Sequence, residues 1–80
     1  MTDITVLPKL VSVQQLKAGR ALAGLTQKDL GLRIGVDQRQ IRFWEKKIPC
    51  RAAKRKRIEQ ALEDVGVECF SHPTIGVRLM

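Results

Sequence analysis

Apolar positions in the middle of the chain repeat at helical spacing on either side of a tight break. Two pairs carry the pattern: Leu30 with Ile34, and Ile41 with Trp44. Pairs three or four residues apart share one side of a helix, so they predict two short helices, each with a buried side. Gly35 and Val36 separate them, and a glycine there favours the left-handed conformation that ends a helix. Two short helices around such a turn are typical of a helix-turn-helix, whose second helix enters the DNA major groove.

Residues that cap helix N-termini mark where three helices begin. Each is followed three residues later by a side chain that can complete a capping box. The pairs are Ser12 with Gln15, Thr26 with Asp29, and Asp37 with Gln40. The first of these helices has Leu16, Leu22 and Ala23 as its predicted apolar face, and Gly24 is its predicted C-cap.

A fourth helix and a β-hairpin are predicted for the rest of the chain. Ile58, Ala61, Leu62 and Val65 form one apolar stripe of a helix over residues 51–65, which Gly66 is expected to end. The segments Val67–Phe70 and Val77–Leu79 alternate with period two, which indicates two strands of a hairpin. We therefore expect a mainly α fold: an N-terminal arm (1–11), a four-helix DNA-binding domain (12–66) and a hairpin tail (67–80).

Length, charge and composition narrow the function classes. Eighty residues make one domain, and 15 Lys and Arg against 8 Asp and Glu give a net charge of +7, which favours a polyanionic partner. No segment reads as a membrane span or signal peptide, so a cytoplasmic protein is expected. Cys50, Cys69 and His72 match no metal-ligand or catalytic pattern, so we expect no cofactor, no metal and no enzymatic activity.

The basic residues after the predicted second helix of the motif are candidates for phosphate contacts. No acidic residue interrupts the run Lys46, Lys47, Arg51, Lys54, Arg55, Lys56 and Arg57. The alternative is a solvated helix face with no ligand. Beside a recognition helix we favour contacts with phosphates for several of them, chiefly Lys46, Lys47, Arg51, Lys54 and Arg55, with Lys28 as a further candidate.

Several residues together resemble the lambda-repressor-like (Cro/XRE-type) helix-turn-helix family. They are Gln27, the small Gly31, Gly35 with Val36, Ile41 and Glu45, and the similarity runs from about Ser12 to Leu62. The ending GVECF…GVRL is also similar to that of a subgroup of small bacterial XRE-type proteins. The resemblance implies a four-helix DNA-binding fold and a role in transcription.

The resemblance also implies roles for individual side chains. Gln27 is similar to the residue that contacts a phosphate and braces the recognition helix. The implied base-reading positions are Gln38, Arg39, Gln40, Arg42 and Phe43. Gln can bind adenine and Arg guanine through two hydrogen bonds, and Phe43 can contact a thymine methyl. Phe43 packing beneath the following loop is the alternative.

Three further expectations concern the scaffold. Trp44 takes the family's apolar core position. Arg20 and Glu45 resemble the family's pair between the first helix and the end of the recognition helix, and we expect an ion pair with a structural role. Gly31 stands where the family often has alanine, and it permits close packing of helices.

Function and assembly follow as hypotheses. We expect a sequence-specific transcriptional regulator that binds duplex DNA as a homodimer, because one recognition helix reads few base pairs. The candidate dimer interface is the hairpin, with Val67, Cys69, Phe70, Val77 and Leu79. The alternatives are a protein-interaction module such as an antitoxin or antiactivator, with a regulatory protein as partner, and a basic protein that binds nucleic acid without sequence preference.

Overall fold

Four helices and a two-stranded hairpin follow one another along the chain. The computed structural model describes residues 8–80. The elements are α1 (Val13–Ala23), α2 (Gln27–Ile34), α3 (Gln38–Trp44), α4 (Ala52–Asp64), β1 (Val67–Phe70) and β2 (Gly76–Leu79). The expected mainly α fold with a C-terminal hairpin is confirmed.

Local hydrogen bonds at the helix ends explain where α1 and α2 start and stop. Ser12 and Thr26 both form complete capping boxes, with Gln15 and Asp29 as predicted. Gly24 ends α1 in the left-handed conformation, at a φ of 70°.

Three predicted details of the helices were wrong. Asp37 caps α3 through the backbone N–H of Arg39, and no reciprocal bond from Gln40 forms, because Asp37 reaches the second residue of the helix and not the third. The C-cap of α4 is Val65, and Gly66 follows it with a φ of 89°. Leu22 is 44% exposed, whereas Gly19 is buried in this part of α1 and packs against Leu62.

The core lies between α1, α2, α4 and the inner face of the hairpin. Its fully enclosed side chains come from every element except β2. They are Leu10, Leu16, Leu30, Ile41, Ile58, Leu62 and Val67, with Ile34, Trp44, Ala61 and Cys69 beside them. Burial of this much aliphatic surface supplies the main stabilising term of so small a domain.

The hairpin is intramolecular, and its inner face belongs to the core. β1 and β2 pair antiparallel, with Cys69 opposite Val77. Val67 and Cys69 are therefore buried in their own subunit, and their assignment to a dimer interface was wrong. Burial also raises the pKa of the Cys69 thiol to about 12, so this side chain is an inert apolar residue. Cys50, in contrast, is exposed.

Lys9 and Leu10, just before α1, are part of the fold, in contrast to this part of the predicted arm over 1–11. Leu10 is 0% exposed. The backbone N–H groups of Lys9 and Leu10 donate to one carboxylate oxygen of Glu59 on α4, at 2.5 and 2.8 Å. The first seven residues of the predicted arm lie outside the described residues.

Gln15 joins three separate parts of the chain. Its side-chain oxygen accepts from Val11 N and Ser12 N, and its Nε2 donates to the carbonyls of Lys9, Phe70 and Gly76. A buried amide is stable only when such partners are present. Gln15 thus fixes the preceding segment and the loop end of the hairpin against α1.

Candidate nucleic-acid interface

Helix α3 has one face in the core and one face in solvent. Ile41 and Trp44 point inward, and Trp44 is 5% exposed, as the sequence predicted for a core residue. Gln38, Arg39 and Arg42 are exposed, and Gln40 is half-buried. Phe43 is 55% exposed, so the alternative of packing beneath the next loop does not occur. One turn and a half of helix therefore presents amide, guanidinium and aromatic groups to solvent on a rigid support.

The turn between α2 and α3 is closed by backbone contacts that only glycine permits. The carbonyl of Gly31 accepts from both Gly35 N and Val36 N, each at 2.8 Å. A Cβ on Gly31 would lie 2.6 Å from the carbonyl oxygen of Val36, so a side chain here would push the turn away. Gly35 has a φ of 85°, which L-residues adopt only with strain. The angle between α2 and α3 depends on these two glycines.

A partly buried ion pair holds the end of α3 against α1. Arg20 Nε lies 2.5 Å from Glu45 Oε2, and Arg20 Nη2 lies 3.1 Å from Glu45 Oε1. This two-pronged geometry matches a guanidinium to a carboxylate. Arg20 also donates to the carbonyl of Leu25. The contact that the sequence-based hypothesis requires is therefore present.

Gln27 is part of the same network. Its Nε2 donates to Glu45 Oε1 at 3.1 Å, so one amide hydrogen braces α3 and the other stays available to a ligand. Burial raises the pKa of the Glu45 carboxyl, but hydrogen bonds from Arg20 and Gln27 outweigh it and leave that pKa below its usual value. Glu45 is therefore a carboxylate at neutral pH.

An open groove of about 390 Å³ lies between the N-terminal ends of α2 and α3. Its lining includes Lys28, Gln38 and Arg39, and Leu32, which is 72% exposed. Arg39 lies 3.7 Å from Asp37 in an exposed pair. Such a pair is weak in water, so Arg39 can turn to another partner.

The cations of the basic run differ in their contacts within the protein. Lys46, Lys47 and Arg51 are exposed. Lys54 lies over the Trp44 ring, with Nζ 5.9 Å from its centroid, and Arg55 Nε donates to the Pro49 carbonyl at 2.6 Å. Lys54 and Arg55 are only half-exposed, and both have intramolecular partners that the sequence did not indicate.

Sequence reasoning missed three residues that hold the scaffold of the domain together. Arg57 on α4 donates to the carbonyl of Ile34 at the end of α2. Gln15 and Glu59 were not singled out as scaffold residues, although both are polar side chains within otherwise apolar helix faces. Their position in the sequence could have identified them, because a polar residue in an apolar stripe needs a hydrogen-bond partner.

Comparison with known families agrees with this geometry. A family model described as "Helix-turn-helix" matches residues 16–50, which span α1 to α3 and the following connection. The match supports a lambda-repressor-like, Cro/XRE-type helix-turn-helix in this segment, with DNA binding as the general activity. Comparison with curated proteins gives no match.

Other site types find no support in the described residues. Residues 8–80 hold no group of three or more His, Cys, Asp or Glu that could bind a metal ion. Over the same range, no helix combines the length and apolarity that a membrane crossing requires.

Proposed function

We propose that this protein is a sequence-specific transcriptional regulator and reads duplex DNA with the solvent face of α3. The observation that carries the proposal is the exposed set Gln38, Arg39, Arg42 and Phe43 on a helix whose other face is fixed by Ile41, Trp44 and Glu45. Base recognition needs donors and acceptors held rigidly and not satisfied within the protein. This face of α3 meets both requirements.

Each residue has a distinct part in the proposed complex. Arg39 and Gln38 form hydrogen bonds with base edges in the major groove, and Phe43 contacts a thymine methyl. Arg42 is at the boundary between bases and backbone. Gln40, which is half-buried, is the least accessible of the predicted base-reading residues.

Phosphate contacts are proposed for the groups on either side of α3. Lys28 and the second amide hydrogen of Gln27 lie on the α2 side, and Lys46, Lys47 and Arg51 lie on the other side. These contacts supply affinity and orientation without sequence information. The exposure of Lys46, Lys47 and Arg51 supports this role.

A homodimer is part of the proposal, since two half-sites increase specificity. Because Val67 and Cys69 are buried, the candidate interface is limited to residues of β2, where Leu79 is 61% exposed. Val77 is half-buried on the same inner side of the sheet. Phe70 is half-buried and lies beneath Arg78, whose guanidinium carbon is 5.4 Å from its ring centroid, so it is the weakest interface candidate. Sedimentation of wild type and Leu79→Glu at tens of micromolar tests this, and a monomer in wild type would contradict it.

Selection from random duplex DNA tests the function. We expect wild type to recover a motif with two symmetric halves, and Arg39→Ala to lose at least one base preference in each half. Arg33→Ala is the matched control, because it removes an exposed arginine from α2 and is expected to leave the motif unchanged. No enriched motif in wild type would contradict sequence-specific regulation, and would leave a protein-binding module or a non-specific nucleic-acid binder.

A further inference from the structure

The side chain of Arg57 is exposed overall, but its guanidinium contacts the backbone of the protein. Its Nη2 donates to the carbonyl oxygen of Ile34. Ile34 is the last residue of α2, and the final carbonyls of a helix have no partner within it. A cation at this end also meets the negative pole of the helix dipole. Arg57 therefore supplies the C-terminal end of α2 with both a hydrogen-bond donor and a positive charge.

The contact lies at the start of the turn that leads into α3. A Cβ placed on Gly35 would lie 4.0 Å from Arg57 Nη2, so the guanidinium lies over the first residue of that turn. The rest of the turn is held by Gly35 N and Val36 N, which donate to Gly31. Arg57 is thus the side chain through which α4 contacts the backbone of this turn.

Arg57 lies away from the solvent face of α3, and its neighbours come from other elements. A small groove of about 180 Å³ beside it is lined by residues of α2 and α4 only, with none from α3. These are Arg33, Ile34, Gln60, Ala61 and Asp64. In contrast, Gln38 and Arg39 line the groove at the other end of the turn.

We propose that Arg57 is a positioning residue for DNA recognition: it fixes the end of α2 from α4, and so sets the orientation of α3, without binding a phosphate. The inference rests on the proposed function, and it removes one cation from the predicted phosphate-binding run. Lys56, the residue before it in α4, is half-buried, its side chain has no hydrogen bond or ion pair within residues 8–80, and it serves as the comparison.

Removing a phosphate contact and removing a positioning contact have different signatures. Loss of a phosphate contact lowers the log–log salt slope of binding by about 0.9 and weakens all sequences alike. Loss of a positioning contact leaves the slope intact, lowers the melting temperature of the free protein, and weakens the selected sequence more than random DNA. Loss of a residue whose role is only structural lowers the melting temperature. It leaves discrimination unchanged at temperatures where the protein is folded.

The experiment uses Arg57→Ala, Arg57→Lys and Lys56→Ala in the full-length protein. Each is melted without DNA, and its affinity is measured over a salt series for the selected duplex and for a random-sequence duplex, at a temperature where all variants are folded. For Arg57→Ala we expect a lower melting temperature, a wild-type slope, and a loss of about fivefold to tenfold in discrimination. Arg57→Lys is expected to restore most of that loss, because an ammonium can also donate to Ile34. Lys56→Ala is expected to leave the melting temperature and discrimination unchanged.

Two results would overturn the inference. One is a reduced slope on both duplexes with an unchanged melting temperature, which would make Arg57 a phosphate contact. The other is a lower melting temperature with unchanged discrimination, which would make its role structural only. If wild type selects no sequence, the proposed function fails. In that case the salt series on the random duplex still tests Arg57. If Arg57→Ala has the salt slope of wild type and a lower melting temperature, the contact of Arg57 with the end of α2 is supported. A smaller salt slope would overturn that contact.

Discussion

Polar side chains are used in opposite ways at the hairpin and at the solvent face of α3. Near the hairpin, Gln15 and Glu59 are buried, and the backbone groups of three segments surround them with hydrogen bonds. On α3, Gln38 and Arg42 are exposed, and their side chains have no hydrogen bond to residues 8–80. A polar residue whose bonds are all made within the protein stabilises the fold, whereas one left open on a rigid helix is available to a ligand.

The two regions should therefore respond to substitution on different scales. Changes near the hairpin are expected to alter the free energy of unfolding. Changes on the exposed face of α3 are expected to alter DNA binding and leave the fold unaffected.

Gln15→Leu should have the largest effect. It keeps the volume of the side chain but leaves several buried backbone groups without partners, so we expect a loss of about 3 kcal/mol in unfolding free energy. That is a large part of the stability of a small domain. Urea denaturation measures the change, and the exposed neighbour Gln14→Leu is the control. Equal stability of Gln15→Leu and wild type would mean that these bonds do not hold the hairpin.

Glu45→Gln probes the junction between the two regions. Loss of the charge paired with Arg20 is expected to cost about 2 kcal/mol at pH 7, since the pair is largely buried. DNA affinity should fall as well, because the end of α3 is no longer fixed against α1. Thermal melting and a binding titration on the same sample separate the two effects. A stable variant with wild-type affinity would show that the pair fixes nothing.

The same residue predicts a pH dependence. The pKa of Glu45 is lower in the folded protein than its ordinary value of 4.5, so the folded state binds fewer protons than the unfolded state around and below that pH. Its contribution is complete above pH 4.5 and is lost as the pH falls through the folded pKa. Between pH 7 and pH 3, wild type should lose more stability than Glu45→Gln. Glu63→Gln is the control, and an equal loss in wild type and Glu45→Gln would contradict the assignment.

Arg39→Ala should change binding without changing stability. Loss of a two-pronged contact with a base typically costs about 1–3 kcal/mol of discrimination. Its pair with Asp37 is exposed, so the melting temperature is expected to stay within error. Competition between the selected duplex and one altered at a single base pair measures the loss. A lower melting temperature with retained discrimination would place Arg39 in the scaffold.

Lys47→Ala should have the smallest effect. One exposed cation is removed, so the salt slope is expected to fall by about 0.9 on every duplex, with the sequence preference unchanged. A salt series on the selected and random duplexes gives both quantities. An unchanged slope would exclude a phosphate contact for Lys47.

Local signals allowed much of this fold to be predicted. Capping boxes, C-terminal glycines and apolar spacing placed four helices and a hairpin, and Trp44 was correctly assigned to the core. These features depend on neighbours within a few residues, so one sequence contains them.

Long-range contacts were beyond the same reasoning. The bonds of Glu59 to Lys9 and Leu10 join residues about fifty positions apart, and no local pattern indicates them. The arm over 1–11 was mispredicted for residues 8–11 for this reason. Likewise, Val67 and Cys69 alternate as strand residues should, but alternation does not tell whether the apolar face meets its own helices or a second subunit.

The sequence predicted which positions form the candidate site, but not which groups their side chains contact. Exposure of Phe43 and Arg39 follows from the helical phase of Ile41 and Trp44. The intramolecular contacts of Arg55 and Arg57 do not, because a run of cations looks the same whether a residue meets a carbonyl, an aromatic ring or a phosphate.

A titration of the isotopically labelled protein with its selected duplex, followed by nuclear magnetic resonance, tests the central claim most directly. Side-chain signals of Gln38, Arg39 and Phe43 report on the solvent face of α3, and the side-chain amide of Gln15 reports on the hairpin region. The account predicts large changes for the first group and little change for Gln15. Large changes at Gln15 with none at Gln38, Arg39 and Phe43 would show that DNA binds elsewhere, and would contradict the assignment of α3 as the reading helix.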